Sequence, residues 1–223
     1  MKNNTISIAL DGPAGVGKST IAKALALELG YSYVDTGAMY RAVTLFALEN
    51  NIPIDADHQQ TMLELAMRKE FRFIFSDGLF QVYFGDRDIT DEIRSLEVTR
   101  NVSYVAALPA VRAGMCALQR NMAADANVVM EGRDIGTVVL PDATYKFFLT
   151  ASVEIRARRR YLELSARGIS VSFEDLCREI AARDNLDSSR SHAPLRKAPD
   201  AVEIDTTDMN IEEVVARILS YME

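Results

Sequence analysis

A nine-residue loop near the start of the chain limits its possible folds more than any other feature. The segment Gly12–Thr20 follows a short β-rich run, precedes a helical run and satisfies the pattern G-x-x-x-x-G-K-[ST]. Its glycines let backbone N–H groups turn inward around a polyphosphate, and the helix N-terminus adds a favourable dipole. The lysine reaches the β- and γ-phosphates, and the serine hydroxyl ligates Mg²⁺. The residues predicted to bind the nucleoside triphosphate are Gly12, Pro13, Ala14, Gly15, Val16, Gly17, Lys18, Ser19 and Thr20, with Ser19 also the metal ligand.

Strands and helices alternate along most of the chain. The predicted strands are 5–10, 31–34, 127–130, 145–149 and 201–204, and the predicted helices include 18–29, 38–49 and 211–221. Alternation of this kind implies a parallel sheet that is covered by helices on both faces. Together with the loop, it predicts an α/β fold of the P-loop NTPase type, with three layers and a five-stranded parallel sheet.

The middle of the chain departs from this rhythm. Two alternating runs, Phe71–Ser76 and Leu79–Phe84, flank Asp77 and Gly78, which is a strong signal for a hairpin with a type I′ turn. A local antiparallel hairpin does not fit a βαβ crossover. We therefore predict a single domain, 1–223, whose core comprises 1–62 and 104–223, with a small antiparallel insert at about 63–103.

Composition excludes several classes of protein. The 223 residues suit one domain, and 32 acidic against 25 basic residues give a net charge of −7, which argues against coating nucleic acid. No stretch approaches 18 uncharged apolar residues, and the N-terminal apolar run is too short for a signal peptide, so neither a membrane span nor secretion is expected. The two cysteines, Cys116 and Cys177, lack CxxC spacing, which favours a reducing cytoplasm over a disulfide framework or a zinc site.

Arginines gather where a second ligand is expected. Arg133 follows the third predicted strand, and ligands of open α/β sheets bind just beyond such strand ends. The other arginines of interest are Arg41, Arg112, Arg156, Arg159, Arg160, Arg183 and Arg190. A single arginine is more often a solvated surface charge. So many in an acidic chain predict a second anion site, because the planar guanidinium binds two phosphate oxygens at once.

Several motifs resemble those of the bacterial cytidylate kinases, a nucleoside monophosphate kinase family. They are Asp11–Thr20, Asp35–Arg41, Gly132–Val139, Leu149–Ser152 and Arg183–Arg190, together with the antiparallel insert, and the resemblance runs essentially end to end. It implies transfer of the γ-phosphoryl group of Mg²⁺-bound ATP to CMP or dCMP, and a lid at about 152–197. Since no extended apolar seam is evident, a monomer is expected.

The resemblance also implies roles for individual residues. The expected base contacts are Thr36, Ser103, Arg112 and Asp134. The expected phosphate ligands are Arg41, Arg133 and Arg190, and the expected ribose contacts are Asp187 and Arg183. The residues expected to close over or stabilise the transferring phosphoryl group are Lys18, Arg133, Arg156, Arg159 and Arg160. Cytosine chemistry agrees, because a carboxylate accepts from its exocyclic amine and a guanidinium donates to its O2 and N3.

Two alternatives stay open at this point. One is another small-acceptor kinase of the same fold, acting on UMP, AMP or shikimate. The other is a nucleotide-dependent binding module without phosphotransfer, against which the arginine-rich second half-site argues. The absence of an N-K-x-D stretch argues against a GTPase.

Overall fold

The computed structural model describes residues 5–68, 71–76, 79–166 and 168–222. In chain order the elements are β1 (Ser7–Asp11), α1 (Lys18–Leu29), β2 (Ser32–Asp35), α2 (Thr36–Glu49), α3 (Gln59–Ala66), β3 (Phe71–Ser76), β4 (Leu79–Phe84), β5 (Arg87–Asp88), α4 (Leu96–Val105), α5 (Pro109–Met122), β6 (Val128–Gly132), β7 (Tyr145–Thr150), α6 (Val153–Ala166), α7 (Phe173–Ser189), β8 (Val202–Asp205) and α8 (Ile211–Leu219). A short 3₁₀ turn at Glu92–Arg94 precedes α4, and a short π-helical segment at Ile135–Val139 follows β6.

The central sheet has five parallel strands in the order β2-β6-β1-β7-β8, which confirms the predicted fold class. Its middle strand is apolar and wholly buried from Ile8 to Leu10, because helices cover both faces of the sheet. β1 pairs with β6 from Ser7↔Val128 to Asp11↔Gly132. The phosphate loop therefore leaves the sheet beside the loop that carries Arg133.

Local signals determine where the first two helices begin and end. Gly17 takes a left-handed conformation directly before α1, and Gly30 does the same after it, where its N–H caps the last carbonyls. The second helix starts at Thr36, two residues earlier than predicted. Asp35 explains this difference, because its carboxylate accepts a hydrogen bond from the N–H of Ala38 at 3.0 Å and so caps the helix.

The middle segment carries the expected antiparallel sheet, with strand order β3-β4-β5. β3 and β4 pair from Phe71↔Phe84 to Ser76↔Leu79, while the predicted turn residues Asp77 and Gly78 lie outside the described residues. The rest of the predicted insert is helical, comprising the end of α3, the 3₁₀ turn and most of α4. Aromatic side chains of this small sheet pack on the core, with the Phe80 and Tyr33 ring centroids 5.0 Å apart.

Helices α6 and α7 lie side by side and share a small apolar cluster of their own, built on Ala157, Leu164 and Leu176. α7 ends at Ser189, so Arg183 and Asp187 share the helix whereas Arg190 is the residue that caps its C-terminus. Cys116 and Cys177 are both free. In the part of the chain that the structure describes, no helix is long and apolar enough to cross a membrane.

Candidate active site

The loop between β1 and α1 is shaped by glycines that no other residue could replace without strain. A Cβ on Gly12 would lie 2.2 Å from the carbonyl oxygen of Leu149, because the ends of β1 and β7 approach closely there. Gly15 and Gly17 have φ values of +82° and +96°, which side chains disfavour. The backbone therefore curls as the sequence pattern predicts.

Lys18 lies at the base of this loop and is almost fully buried. Its Nζ donates a hydrogen bond to the carbonyl oxygen of Pro13 at 2.7 Å. Burial, and then the positive charge of Arg133, lower the pKa of Lys18 to about 7. A bound polyphosphate would reverse this effect, since an anion favours the charged form of the amine.

Glu131 is a buried acid beside the loop that the sequence analysis did not single out. It accepts a hydrogen bond from the Tyr33 hydroxyl at 2.7 Å, and its carboxyl also contacts the Ser19 hydroxyl. Burial and the nearby charge of Asp35 raise the pKa of this carboxyl. The available signal was an acid near the end of an otherwise apolar strand that neighbours the phosphate loop.

A cavity of about 1030 Å³ opens from the phosphate loop toward α4 and α7. Every residue expected to contact the acceptor lines it: Thr36, Arg41, Ser103, Arg112, Arg133, Asp134, Arg183, Asp187 and Arg190. Lys18 and Ser19 line the same cavity from the loop side. The structure thus brings the two halves of the predicted site into one space.

Asp134 lies between two arginines at one end of this cavity. Arg112 donates a hydrogen bond to the Asp134 carboxylate and another to the carbonyl oxygen of Ala106 at 3.2 Å. Arg190 forms a second ion pair, with its Nη2 3.5 Å from Asp134 Oδ1. Both arginine side chains are buried, so the carboxylate is held in one orientation by opposite charges from α5 and from the end of α7.

Next to Asp134, positive charge is crowded. Arg133 donates to Asp187 at 2.9 Å, and Arg41 donates to the Thr99 hydroxyl at 2.9 Å. Burial followed by the charge of Arg133 lowers the pKa of Arg183 to about 9, and burial lowers the pKa of Arg41 to about 10. Among the described residues, the buried Nε of Arg183 has no hydrogen-bond partner. The arrangement suits an incoming anion, which would relieve the repulsion and supply the missing acceptor.

Arg156 and Arg159 take different positions from the arginines above. Arg156 donates to the carbonyl oxygen of Ala14 at 3.1 Å and forms a two-pronged ion pair with Asp184, at 3.0 and 2.6 Å. Arg159 donates to the carbonyl oxygen of Thr206 at 2.7 Å and to that of the phosphate-loop residue Val16 at 3.4 Å. Among the described residues, Arg160 lines the cavity but Arg156 and Arg159 do not. In this conformation both brace the phosphate loop, so their predicted catalytic role stays a prediction.

The donor set near the loop fits a hard divalent cation. Mg²⁺ prefers oxygen ligands and is usually held by one or two protein groups together with substrate phosphates. The Ser19 hydroxyl and the Glu131 carboxyl contact each other and offer such oxygens. Across the described ranges, no group of three or more His, Cys, Asp or Glu side chains could hold a metal by itself, so a cation here would depend on the nucleotide.

Comparisons with known proteins agree with this geometry. The model of the cytidylate kinase family matches residues 8–223. The cytidylate kinase of Carboxydothermus hydrogenoformans is 50% identical over 212 residues, which is 95% of each chain. That of Exiguobacterium sibiricum is 51% identical over 218 residues, 98% of this chain and 97% of the relative. A solved structure of an uncharacterized protein from Eubacterium ventriosum, 13% identical with 98% of each chain covered, has a TM-score of 0.51 and shows likeness of fold alone. The chain therefore belongs to the cytidylate kinase family.

Proposed function

We propose that this protein transfers the γ-phosphoryl group of Mg²⁺-bound ATP to CMP or dCMP, giving ADP and CDP or dCDP. One observation carries the proposal. A single cavity has the phosphate loop on one wall and, on the other, a cluster of arginines beside the Arg112–Asp134 pair. The two relatives reported above are both named cytidylate kinases, which supports the same acceptor.

The donor half of the site is the phosphate loop. Its N–H groups and Lys18 would hold the β- and γ-phosphates, and Ser19, with Glu131 behind it, would hold the cation. When bound, Mg²⁺ supplies neutralisation of the charge that develops on the phosphate oxygens. Apart from Pro13, which has no N–H group, residues Gly12–Thr20 would contact ATP through backbone N–H groups, because a curled loop directs these groups inward.

The acceptor half has separate groups for phosphate, ribose and base. Arg41, Arg133 and Arg190 would bind the monophosphate. Arg183 and Asp187 would contact the ribose. Thr36, Ser103, Arg112 and Asp134 would recognise cytosine. Uracil presents an acceptor where cytosine presents its amine, so the Asp134 carboxylate would lose its hydrogen bond to the base, at a cost of about 1–3 kcal/mol.

Catalysis in this scheme consists of positioning and charge stabilisation, with no covalent intermediate. Lys18 and Arg133 would stabilise the oxygens of the transferring group. The lid at about 152–197 would close when both nucleotides are bound, excluding water and limiting wasteful hydrolysis of ATP. Arg156 and Arg159 would change partners during that closure, from the loop carbonyls to phosphate oxygens.

The deciding experiment is an ADP-release assay over CMP, dCMP, UMP and AMP, run on the wild type and on Asp134→Asn. We expect CMP and dCMP to be preferred. The Asp134→Asn variant should have a kcat/KM for CMP that is lower by about tenfold to a hundredfold. Its preference for CMP over UMP should also be smaller, because the amide can donate to the uracil O4. A preference of the wild type for UMP or AMP would assign a different acceptor. ATP binding with no ADP release for any monophosphate would identify a binding module.

We further propose a cytoplasmic monomer that does not bind nucleic acid. The absence of nucleic-acid binding is expected from the acidic net charge of −7 and from the position of the clustered arginines in the cavity. The cytoplasmic location is expected from two cysteines without CxxC spacing, and the monomer from the lack of an extended apolar seam in the sequence. Size-exclusion chromatography with light scattering tests the monomer directly. A filter-binding assay with duplex DNA and with RNA tests the absence of nucleic-acid binding.

A further inference from the structure

One buried carboxylate near the site takes no part in the scheme above. Asp11 is the last residue of β1 and directly precedes the phosphate loop, and its side chain is almost wholly buried. Its Oδ1 accepts a hydrogen bond from the N–H of Ile135 at 2.8 Å, and its Oδ2 accepts one from the N–H of Gly136 at 2.8 Å. A single side chain thus joins the strand that begins the donor loop to the segment that follows Arg133 and Asp134.

This contact determines how the chain turns after Asp134. Ile135 and Gly136 open the short helical segment Ile135–Val139, where N–H groups have no partner within the helix. The carbonyl oxygen of Asp134 accepts from the N–H of Val138 at 2.9 Å. Asp11 therefore fixes the N–H groups on one side of Asp134, while the segment itself fixes its carbonyl, and the residue that faces the expected base has little backbone freedom.

The absence of a side chain at Gly136 allows the approach. A Cβ there would lie 3.2 Å from Cδ of Lys146 and 3.4 Å from Oδ2 of Asp11. Lys146 is itself fixed, since its Nζ donates to Asp200 at 2.7 Å. The Gly136 backbone is therefore held between a rigid lysine stem and the Asp11 carboxylate, which makes the position sensitive to one added methyl group.

Keeping a carboxylate in this place is costly for the fold. Burial raises the pKa of Asp11 to about 6, even though the two backbone N–H groups act in the opposite direction. A neutral side chain of the same size would avoid that cost. A carboxylate does, however, supply two equivalent acceptor oxygens in one plane, which an amide cannot.

We propose that Asp11 is a positioning residue for the acceptor nucleotide: by holding Ile135 and Gly136, it sets where Arg133 and Asp134 stand relative to the phosphate loop. The inference rests on the proposed function and deepens it. According to this inference, β1, which precedes the phosphate loop, also contributes to recognition of the acceptor base, although Asp11 itself contacts neither nucleotide.

The test compares Asp11→Asn with the wild type in steady-state assays with CMP, UMP and ATP. The amide leaves one acceptor oxygen and turns an N–H₂ group toward a backbone N–H. We expect KM for CMP to rise by about tenfold to a hundredfold and the CMP-over-UMP preference to fall by about tenfold, as loss of a buried hydrogen bond to a charged group predicts. KM for ATP should change by less than about twofold.

Two further variants separate positioning from stability. Gly136→Ala disturbs the same contact while leaving Asp11 in place, and it should reproduce the loss of CMP-over-UMP preference even if Asp11→Asn does not fold. Ile8→Val lies in the same strand, is similarly buried and removes one methyl group from the core. It should lower stability, yet it should leave every kinetic constant within about twofold.

Two outcomes would overturn the inference about Asp11 but leave the proposed function intact. One is that Asp11→Asn and Gly136→Ala lower stability but keep the CMP-over-UMP preference of the wild type. The other is that they raise KM for ATP as much as KM for CMP, which would mean that Asp11 serves the donor loop. Wild-type protein that does not phosphorylate CMP would instead refute the proposed function, and the inference with it.

Discussion

The Lys18 amine is neutral or charged according to what lies beside it. In the ligand-free protein, burial holds its pKa at about 7, well below the ordinary value of 10.5. Above pH 7 the neutral form therefore predominates, whereas phosphate oxygens favour the charged form. Binding of a polyphosphate at pH 8 should consequently draw a proton from solution.

Calorimetry with Mg²⁺-free ATP at pH 8, repeated in buffers of different ionisation enthalpy, measures this proton. We expect the heat of binding to depend on the buffer, with net proton uptake, and Lys18→Met to lose that dependence. Mg²⁺ is omitted so that the phosphate oxygens are the only new charges beside Lys18. Identical heats in all buffers for the wild type would contradict the lowered pKa.

Single residues were predicted well where a pattern reports backbone geometry and poorly where only folding brings groups together. The glycines of the phosphate loop are recognisable because positive φ values demand them. Glu131 and Asp11 were not assigned roles, since their partners are Ser19 and Tyr33 for one and backbone N–H groups over 120 residues away for the other. No local pattern carries such information.

At the level of elements, α7 is tied to the phosphate loop by a buried ion pair. Arg156 joins the Asp184 carboxylate to the carbonyl oxygen of Ala14, and the Arg156 side chain is only 4% exposed. Removing one partner of such a pair leaves a buried charge without compensation, which is more damaging than never having the pair.

Asp184→Asn should therefore lower the free energy of unfolding by about 2–3 kcal/mol, as measured by chemical denaturation. The matched control is Glu203→Gln, which breaks the exposed Lys197–Glu203 pair and should cost less than about 1 kcal/mol. Equal losses for the two variants would show that the Arg156 contact does not anchor α7.

Elements whose ends carry clear glycine or turn signals were predicted nearly to their ends, whereas a very short strand and the helices of the insert were missed. The helix at 18–29 was predicted at its observed bounds, and the β3–β4 hairpin was predicted from two β-rich runs on either side of Asp77 and Gly78. β5 has only two residues, too few to show any alternation. The helical parts of the insert were not foreseen, because the hairpin signal dominated the interpretation of the surrounding sequence.

At the scale of the molecule, an acidic protein concentrates its positive charge inside one cavity. The net charge is −7, yet the acceptor half is lined by five arginines, Arg41, Arg112, Arg133, Arg183 and Arg190. Burial is the largest cause of the lowered pKa of both Arg41 and Arg183, with neighbouring cations adding to it. The ligand-free protein thus stores repulsion that a bound phosphate relieves.

Thermal unfolding with CMP and with cytidine measures that relief. At a hundredfold excess over its dissociation constant, CMP should stabilise the protein by about 2.7 kcal/mol. Cytidine at the same concentration should give a much smaller shift, because it lacks the phosphate. Equal shifts for the two ligands would mean that the arginine cluster contributes nothing to acceptor affinity.

The strand order has a practical consequence for redesign of this enzyme. The two loops proposed to bind donor and acceptor leave adjacent strands, β1 and β6, and neighbouring strands lie about 4.8 Å apart. The distance between the starts of the two loops is thus fixed by backbone hydrogen bonds between the strands, which side-chain replacement does not remove. Cavity-lining side chains can therefore be replaced to accept a new nucleotide without changing the distance between the two loops.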